Sequence, residues 1–405
     1  VTDQRLNRAY LGLPVAEILL DGYPPSSWGL EEEFSDVVIR QSYSGITQAT
    51  LTYSPVDYST LDSELFLNGG LVRIFVGYPR VEELQRIDKG TFFIEHSEVV
   101  HNENRPPALV LTCYDIGIST TREEKRRSFR NIRDFTIAKQ IADEHGVKTE
   151  TEDGVSAVDS TFLDFEQVTQ AGETDFAFLR RRAALYGYEF FIDRNIMHFR
   201  LPRITTPTAT FGPMAGVPII FARGGPDAIK AGMKFTHSDF NPITGEVVSV
   251  SSDGMKNEMT AASRRGFEVG NLRSHIDIAG GTFEKFVYGF GHRPSVAEVT
   301  TGVDGAANRN AYLNKIDVIV PTVPHIDPLD TVEIAGFGRF GGVYIISKAV
   351  HEVGVEMGKQ SRLVLMRSFE GVGLPVEKLV SPSSVRGVAQ SDNIKIRVED
   401  YTDQR

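Results

Sequence analysis

The chain of 405 residues holds one cysteine, Cys113, and one tryptophan, Trp28. A single thiol excludes an intrachain disulfide, which fits folding in a reducing compartment. That thiol lies on an apolar strand, where packing rather than nucleophilic chemistry is expected of it. No apolar run approaches membrane-spanning length, so no stable membrane insertion is expected. Residues Val1–Tyr10 are polar and mixed in charge, and no secretory leader is expected there. Basic charge is in deficit, 43 Lys and Arg against 54 Asp and Glu, for a formal net charge of −11. That balance argues against general or sequence-specific affinity for nucleic acid.

Motifs for catalysis are missing too. Gly336–Gly341 matches the spacing of a dinucleotide fingerprint, but Val343–Ile346 after it is β-branched and aromatic and reads as a strand. A phosphate there would need a helix N-terminus, so a hairpin turn is the reading. His351-Glu352 begins a zinc-protease pattern, yet Val355 stands where the second histidine belongs. No Cys or His cluster has zinc spacing, and there is no nucleophile elbow, P-loop or calcium loop. Catalytic, metal-binding and cofactor-binding residues are therefore expected to be none. Only a carboxylate pair of the glycosidase kind stays open, because its members need not be neighbours in sequence.

What the sequence does contain is strands, and one trio of them twice. The first trio is Val72–Gly77, Gly90–His101 and Leu109–Cys113; the second is Val332–Gly336, Gly342–His351 and Leu363–Arg367. Each has a β-branched run, a long strand opened by glycine and closed by histidine, a polar loop and an apolar strand. Agreement in order, length and boundary residues points to an internal duplication. Such a trio leaves edges unpaired, so it should close into a barrel or pair with a neighbour. The two histidines, His101 and His351, are expected at matching ends.

Between the copies the pattern changes. Thr120–Arg133 is crowded with Arg and Lys and reads as a solvated connector. Asp134 is expected to cap a helix carrying Ile137, Ala138, Ile141 and Ala142 on one face and ended by Gly146. Thr174 and Asp175 open a second helix, ended by Gly187, and Asp193–Asn195 turns between two strands. The fold class expected is β-rich α+β. The segments are 1–119 for the first β-domain, 120–203 for an α/β domain, 204–310 for strands of the second β-domain with a poorly patterned insertion, 311–370 for the rest of it, and 371–405 for a linker and a last strand. That strand, Ile394–Val398, alternates cleanly, and Ile394, Ile396 and Val398 are the expected partner-binding residues, by strand addition.

Thr174–Arg180, continuing through Tyr186–Phe190, resembles a recurring segment of contractile-tail hub proteins. Ile137–Gly146 and Asp330–His351 are also similar to that family, which includes the late control protein D of phage baseplates and the N-terminal hub part of the VgrG spike proteins. The resemblance implies two tube-like β-barrel domains with an α/β domain between them, in a virion tail baseplate assembled in the bacterial host cytoplasm. It implies a structural hub, without catalysis, joining a hexameric tail tube to a trimeric spike. The partners expected are two further copies in a homotrimer, a tube or tube-initiator protein, a spike and neighbouring baseplate proteins. No spike repeat follows in this sequence, so the spike is expected to be a separate protein. The readings kept beside it are a hub of a bacterial contractile injection or type VI secretion system and, from another class, a tail-tip cell-wall hydrolase or glycan-binding module.

Overall fold

A computed structural model describes residues 14–30, 34–54, 61, 63–79, 84–103, 105–149, 164–200, 202, 205–213, 215–226, 233–240, 247–252, 283–286, 296–310, 312, 314–337, 340–354 and 359–367. Ile394, Ile396 and Val398 lie outside these. The first half of the chain supplies β1 (Val15–Leu20), β2 (Asp36–Ser42), β3 (Gln48–Tyr53), β4 (Leu71–Pro79), β5 (Leu84–Asn102) and β6 (Arg105–Asp115). The α/β unit follows, with β7 (Glu124–Arg133), α1 (Asp134–His145), β8 (Lys148–Thr149), β9 (Asp164–Thr174), α2 (Asp175–Leu185), β10 (Glu189–Asp193) and β11 (Ile196–Arg200). Then come β12 (Ala209–Phe211), β13 (Phe221–Pro226), β14 (Met233–Phe240), β15 (Val247–Ser252), β16 (Phe283–Phe286) and α3 (Val296–Asn310). The described part ends with β17 (Asn314–Pro321), β18 (Thr331–Ile334), β19 (Gly342–Gly354) and β20 (Lys359–Arg367).

Twelve of these strands form one large sheet. Its first six run in the order β1-β4-β5-β6-β3-β2, and its other six in the order β12-β18-β19-β20-β17-β13. Place by place, the two runs follow the same chain order. All pairings within them are antiparallel except β12 with β18, which is parallel where β1 with β4 is antiparallel. Alternation explains the one-sided burial: β3 and β17 bury every second residue, the period of a half-buried strand. Ile18, Leu51, Val72, Phe92 and Leu111 share one core; Phe211, Val318, Val332, Tyr344 and Leu365 share another. Each run thus curls around its own interior.

Neither run closes on itself among the described residues, which corrects the expectation of two barrels. The last strand of the first run pairs instead with the second run, β2 against β19, from Lys348↔Ser42 to Gly354↔Asp36. The alternative to closure named by the edge argument, pairing with a neighbour, is the one this sheet uses.

The glycines opening β5 and β19 have left-handed backbones, φ +109° at Gly90 and +120° at Gly342. Five residues on, each strand carries a bulge, at Glu95 and at Ser347. Ile94 faces Cys113 before the first bulge as Ile346 faces Leu365 before the second. In this register His351 corresponds to Val99, not to His101. The histidines are two places apart, and His101 is exposed whereas His351 is fully buried.

The loop Gly336–Gly341 turns the antiparallel pair β18–β19, so the hairpin reading is the right one. The basic stretch 120–133 is not a connector. Most of it is β7, paired with β9, and Glu144 of α1 and Asp175 of α2 neutralise Lys125 and Arg127. Asp134 does not cap α1. It is buried and accepts hydrogen bonds from Arg182 at 2.6 and 2.8 Å and from Tyr186 at 2.7 Å, tying α1 to α2. Thr174 does cap α2, accepting from the Ala177 amide at 3.2 Å.

Candidate functional site: a buried junction of three parts

The β10–β11 hairpin turns through Arg194 and Asn195, both at positive φ, as a two-residue turn of this hand requires. The turn points the α/β unit at the large sheet. Ile192 bridges Ile46, and its amide donates to the Gly45 carbonyl at 3.1 Å while its carbonyl accepts from the Thr47 amide at 3.1 Å. Ile192 comes so close to Gly117 that a Cβ there would lie 2.4 Å from it, so only glycine fits. At this contact the two runs of the sheet and the α/β unit meet.

A polar cluster fills the meeting point. Lys89, just before Gly90 on β5, is fully buried and donates to Asp327 at 2.9 Å and to Gln41 at 3.3 Å. Gln41 of β2 donates to Asp327 and to Asp193, at 3.0 Å each. Arg194 pairs with Asp193 at 2.9 Å and with Asp327 at 3.0 Å, and Thr47 donates to Asp193 at 2.7 Å. Two cations meet two carboxylates, so the cluster is neutral and its lone pairs are satisfied, the condition under which buried charge is tolerated. Burial works against the Asp327 carboxylate, but the charges of Lys89 and Arg194 outweigh it and hold its pKa at about 2.

Two further groups stand beside the cluster. Asp115 accepts from the amides of Gly117 and Asn195, at 2.9 Å each. Burial, aided by the charge of Asp193, outweighs these bonds and pushes its pKa up to about 6. His351, opposite Ile39 across the β2–β19 seam, bonds Ser361 at 2.8 Å through Nδ1 and the Ile326 carbonyl at 3.1 Å through Nε2. Burial, with Lys89 nearby, holds its pKa down at about 3, so it is a neutral ring donating from Nε2.

Chemically this is a lock. Each carboxylate is held by a cation, and the lysine is sealed from solvent. One other constellation has a catalytic look: Ser119 Oγ lies 3.1 Å from His145 Nδ1, and His145 Nε2 lies 2.8 Å from Asp175. Asp175, however, is also held by Lys125 and Arg127. A triad carboxylate must be free to stabilise an imidazolium, and this one already shares its charge with two cations. Burial of Cys113 pushes its thiol up to about 12, which fits the packed role expected of it. Among the described residues no group of three His, Cys, Asp or Glu could hold a metal ion, and no helix is long and apolar enough to cross a membrane.

Sequence reasoning missed Gln41, Lys89 and Asp327. Lys89 sits in a mixed-charge run, and nothing but its place directly before the strand-opening glycine distinguishes it.

A family model described as the Alg8 N-terminal domain matches residues 33–354. The chain belongs to that family. The Alg8 N-terminal domain match starts just before β2 and ends with β19, the two strands that form the seam. Among curated proteins, no sequence matches this one. Among solved structures, the chain is similar to the 43 kDa tail protein of prophage MuSo2 from Shewanella oneidensis, at 13% identity. That alignment covers 88% of this chain and 98% of the other, with a TM-score of 0.59. A tail protein from Neisseria meningitidis aligns at 10% identity over 87% and 96% of the two chains, with a TM-score of 0.60. A component of the E. coli type VI secretion system aligns over 89% of this chain and 80% of its own, at 9% identity. Its TM-score of 0.46 adds nothing to the fold assignment. These likenesses are likenesses of fold: the chain has the fold of phage tail proteins.

Proposed function

We propose that the protein is a structural hub of a contractile phage tail baseplate, a homotrimer joining a sixfold tube to a threefold spike. One observation carries this reading. In the fold of two tail proteins, one of them from a prophage, the chain lays out the same six-strand order twice and joins the two runs edge to edge. We take the repeat as an internal duplication. Closed rings repeat one interface around one axis, so a sixfold ring and a threefold one cannot meet through identical contacts. A chain with two alike sheet units removes the mismatch, because three copies offer six units. The lock of Lys89, Asp327, Asp193 and Arg194 supports the reading as well, since it fixes the angle between units that a ring would repeat.

Imaging of assembled tail particles tests it. The expected result is three copies on the axis between tube and spike; six copies, or a peripheral position, would sink it. The alternating segment Ile394–Val398 is proposed to bind the spike or a neighbouring subunit by strand addition. Deleting 380–405 is expected to leave the body folded and to weaken co-purification with the spike; unchanged co-purification counts against that contact.

A further inference from the structure

The seam within the chain has an empty counterpart. One edge of β19 is shared: β18 pairs it from Gly342 to Ile345, and β2 takes it over past the bulge, from Lys348 to Gly354. On β5, β4 pairs the same edge only as far as Phe93. The residues in the place of Lys348–Gly354, counted from the opening glycine, are His96–Asn102. Their other edge is held by β6, and among the described residues nothing pairs this one. Val99 is 55% and Val100 40% exposed, on opposite faces of the strand. Long exposed edges are templates for pairing and are usually blunted by charge, Pro or bulges; His96–Asn102 contains no Lys or Pro, its one charged residue is Glu98, and its bulge, at His101, falls past Val99 and Val100.

The strand in the place of β2 is β13. Among the described residues it ends the sheet, paired with β17 alone, and Phe221 at its start and Ile220 just before it are 49% and 60% exposed. We infer that β13 of one copy pairs antiparallel with His96–Asn102 of the next, repeating between chains the seam that β2 and β19 make within one. This rests on the duplication proposed above and names the surface that closes the ring.

The register follows from the internal seam. Ile39 faces His351, and Ile39 reaches Cys113 through Ala49 as Gly224 reaches Leu365 through Ile316. Gly224 therefore faces Val99 of the neighbour, Arg223 faces Val100 and Gly225 faces Glu98. Arg223 and Glu98 then lie diagonally on one face, a favourable cross-strand charge pair. No other strand edge of the second run holds the position that makes the internal seam.

The full chain with Val100→Cys and Arg223→Cys tests the register. Mild oxidation is expected to give covalent oligomers on a non-reducing gel, ending in one closed species. The pair Glu98→Cys with Phe221→Cys, out of register, is expected to cross-link about tenfold less, because a disulfide needs close Cβ atoms. Cys113 is buried and should not compete. A second variant, Val99→Asp with Val100→Asp, is expected to abolish association in sedimentation while leaving the melting temperature unchanged. A chain that stays monomeric at its highest soluble concentration overturns the inference. So does an oligomer that survives the two aspartates and cross-links equally in both registers, and that result would leave the hub reading standing. Register-specific rings from a chain absent from the tail axis would do the reverse, supporting this seam and sinking the hub.

Discussion

The second halves of β5 and β19 are made alike and end differently. Both follow a left-handed glycine and a bulge at the same offset, and both are paired on one side by the next strand in the chain. Past the bulge, β19 is buried at Ala349, His351 and Val353, whereas β5 is exposed from Glu95 to His101 except at Ser97, which is half-buried. Local sequence does not make this difference, since Val99 and Val100 are as apolar as anything on β19. The presence of β2 beside one and not the other does. Burial here is a property of the neighbour, so an exposed apolar edge marks where a neighbour is missing.

The largest test of that comparison removes the lock that seats the neighbour. Asp327→Ala leaves Lys89 buried without its carboxylate and is expected to cost about 3–5 kcal/mol, the range for breaking a buried pair from one side. Chemical denaturation followed by far-UV circular dichroism measures it. A cost below about 1 kcal/mol, the scale of exposed pairs, would mean the seam does not depend on the lock.

A smaller effect comes from making β19 resemble β5 at one place. His351→Val puts the residue of Val99 there, strands the Ile326 carbonyl and leaves the Ser361 hydroxyl without an acceptor while it keeps its bond from the Val323 amide, at about 1–3 kcal/mol near pH 7. It should also change acid sensitivity. His351 falls from an ordinary 6.5 to about 3 on folding, so its contribution is full above 6.5 and is lost as pH falls towards 3. Asp327, depressed from 3.8 to about 2, adds a loss below about 4. Asp115 runs the other way: raised from 3.8 to about 6, it gives stability that is present below 3.8 and lost as pH rises through 6. In the wild type these oppose between 6 and 4; in His351→Val the chain is expected to gain stability on acidification across that window. A melting temperature that falls equally in both proteins from pH 6 to 4 would contradict the assignment.

The smallest effect should be the same in both strands. Gly90→Ala and Gly342→Ala each force a Cβ into a left-handed backbone, at about 1–2 kcal/mol. An added Cβ meets the Arg194 backbone at 3.2 Å in the first case and, in the second, the buried Arg367 guanidinium, held by the Gly341 carbonyl, at 2.9 Å. Differential scanning calorimetry should rank the two variants close together. A large gap would break the likeness of the two strands.

Much of the architecture was legible because it is periodic. The strands around Val72 and Val332, the helices ended by Gly146 and Gly187 and the turn at Asp193–Asn195 follow from alternation and from glycine or turn chemistry acting locally. What stayed hidden depends on distant partners. Lys125 and Arg127 look like part of a solvated run until Glu144 of α1 and Asp175 of α2 supply opposite charge. Asp134 looks like a cap until Arg182 claims it from α2. Barrel closure was the natural end for six strands with free edges, but among the described residues β2 pairs with β19 and not with β1. No local pattern could rank those two choices. Lys89 and Asp327 were unreadable for the same reason, since a buried charge looks like a surface one until its counter-ion is located.

The seam also sets an order in time. Gln41 and Asp327, which meet in the lock, lie 286 residues apart in the chain. At roughly 5–20 residues per second on the ribosome, β2 emerges on the order of tens of seconds before the strand it must pair with. For that interval its outer edge is open, and contacts of such long range are also the slowest to form once both ends exist. Two chains made side by side could then exchange seams, β2 of one taking β19 of the other. The fully paired lock fixes the register of that seam, whether within one chain or between two, because a seam zipped out of register would bury Lys89 with no carboxylate to meet it.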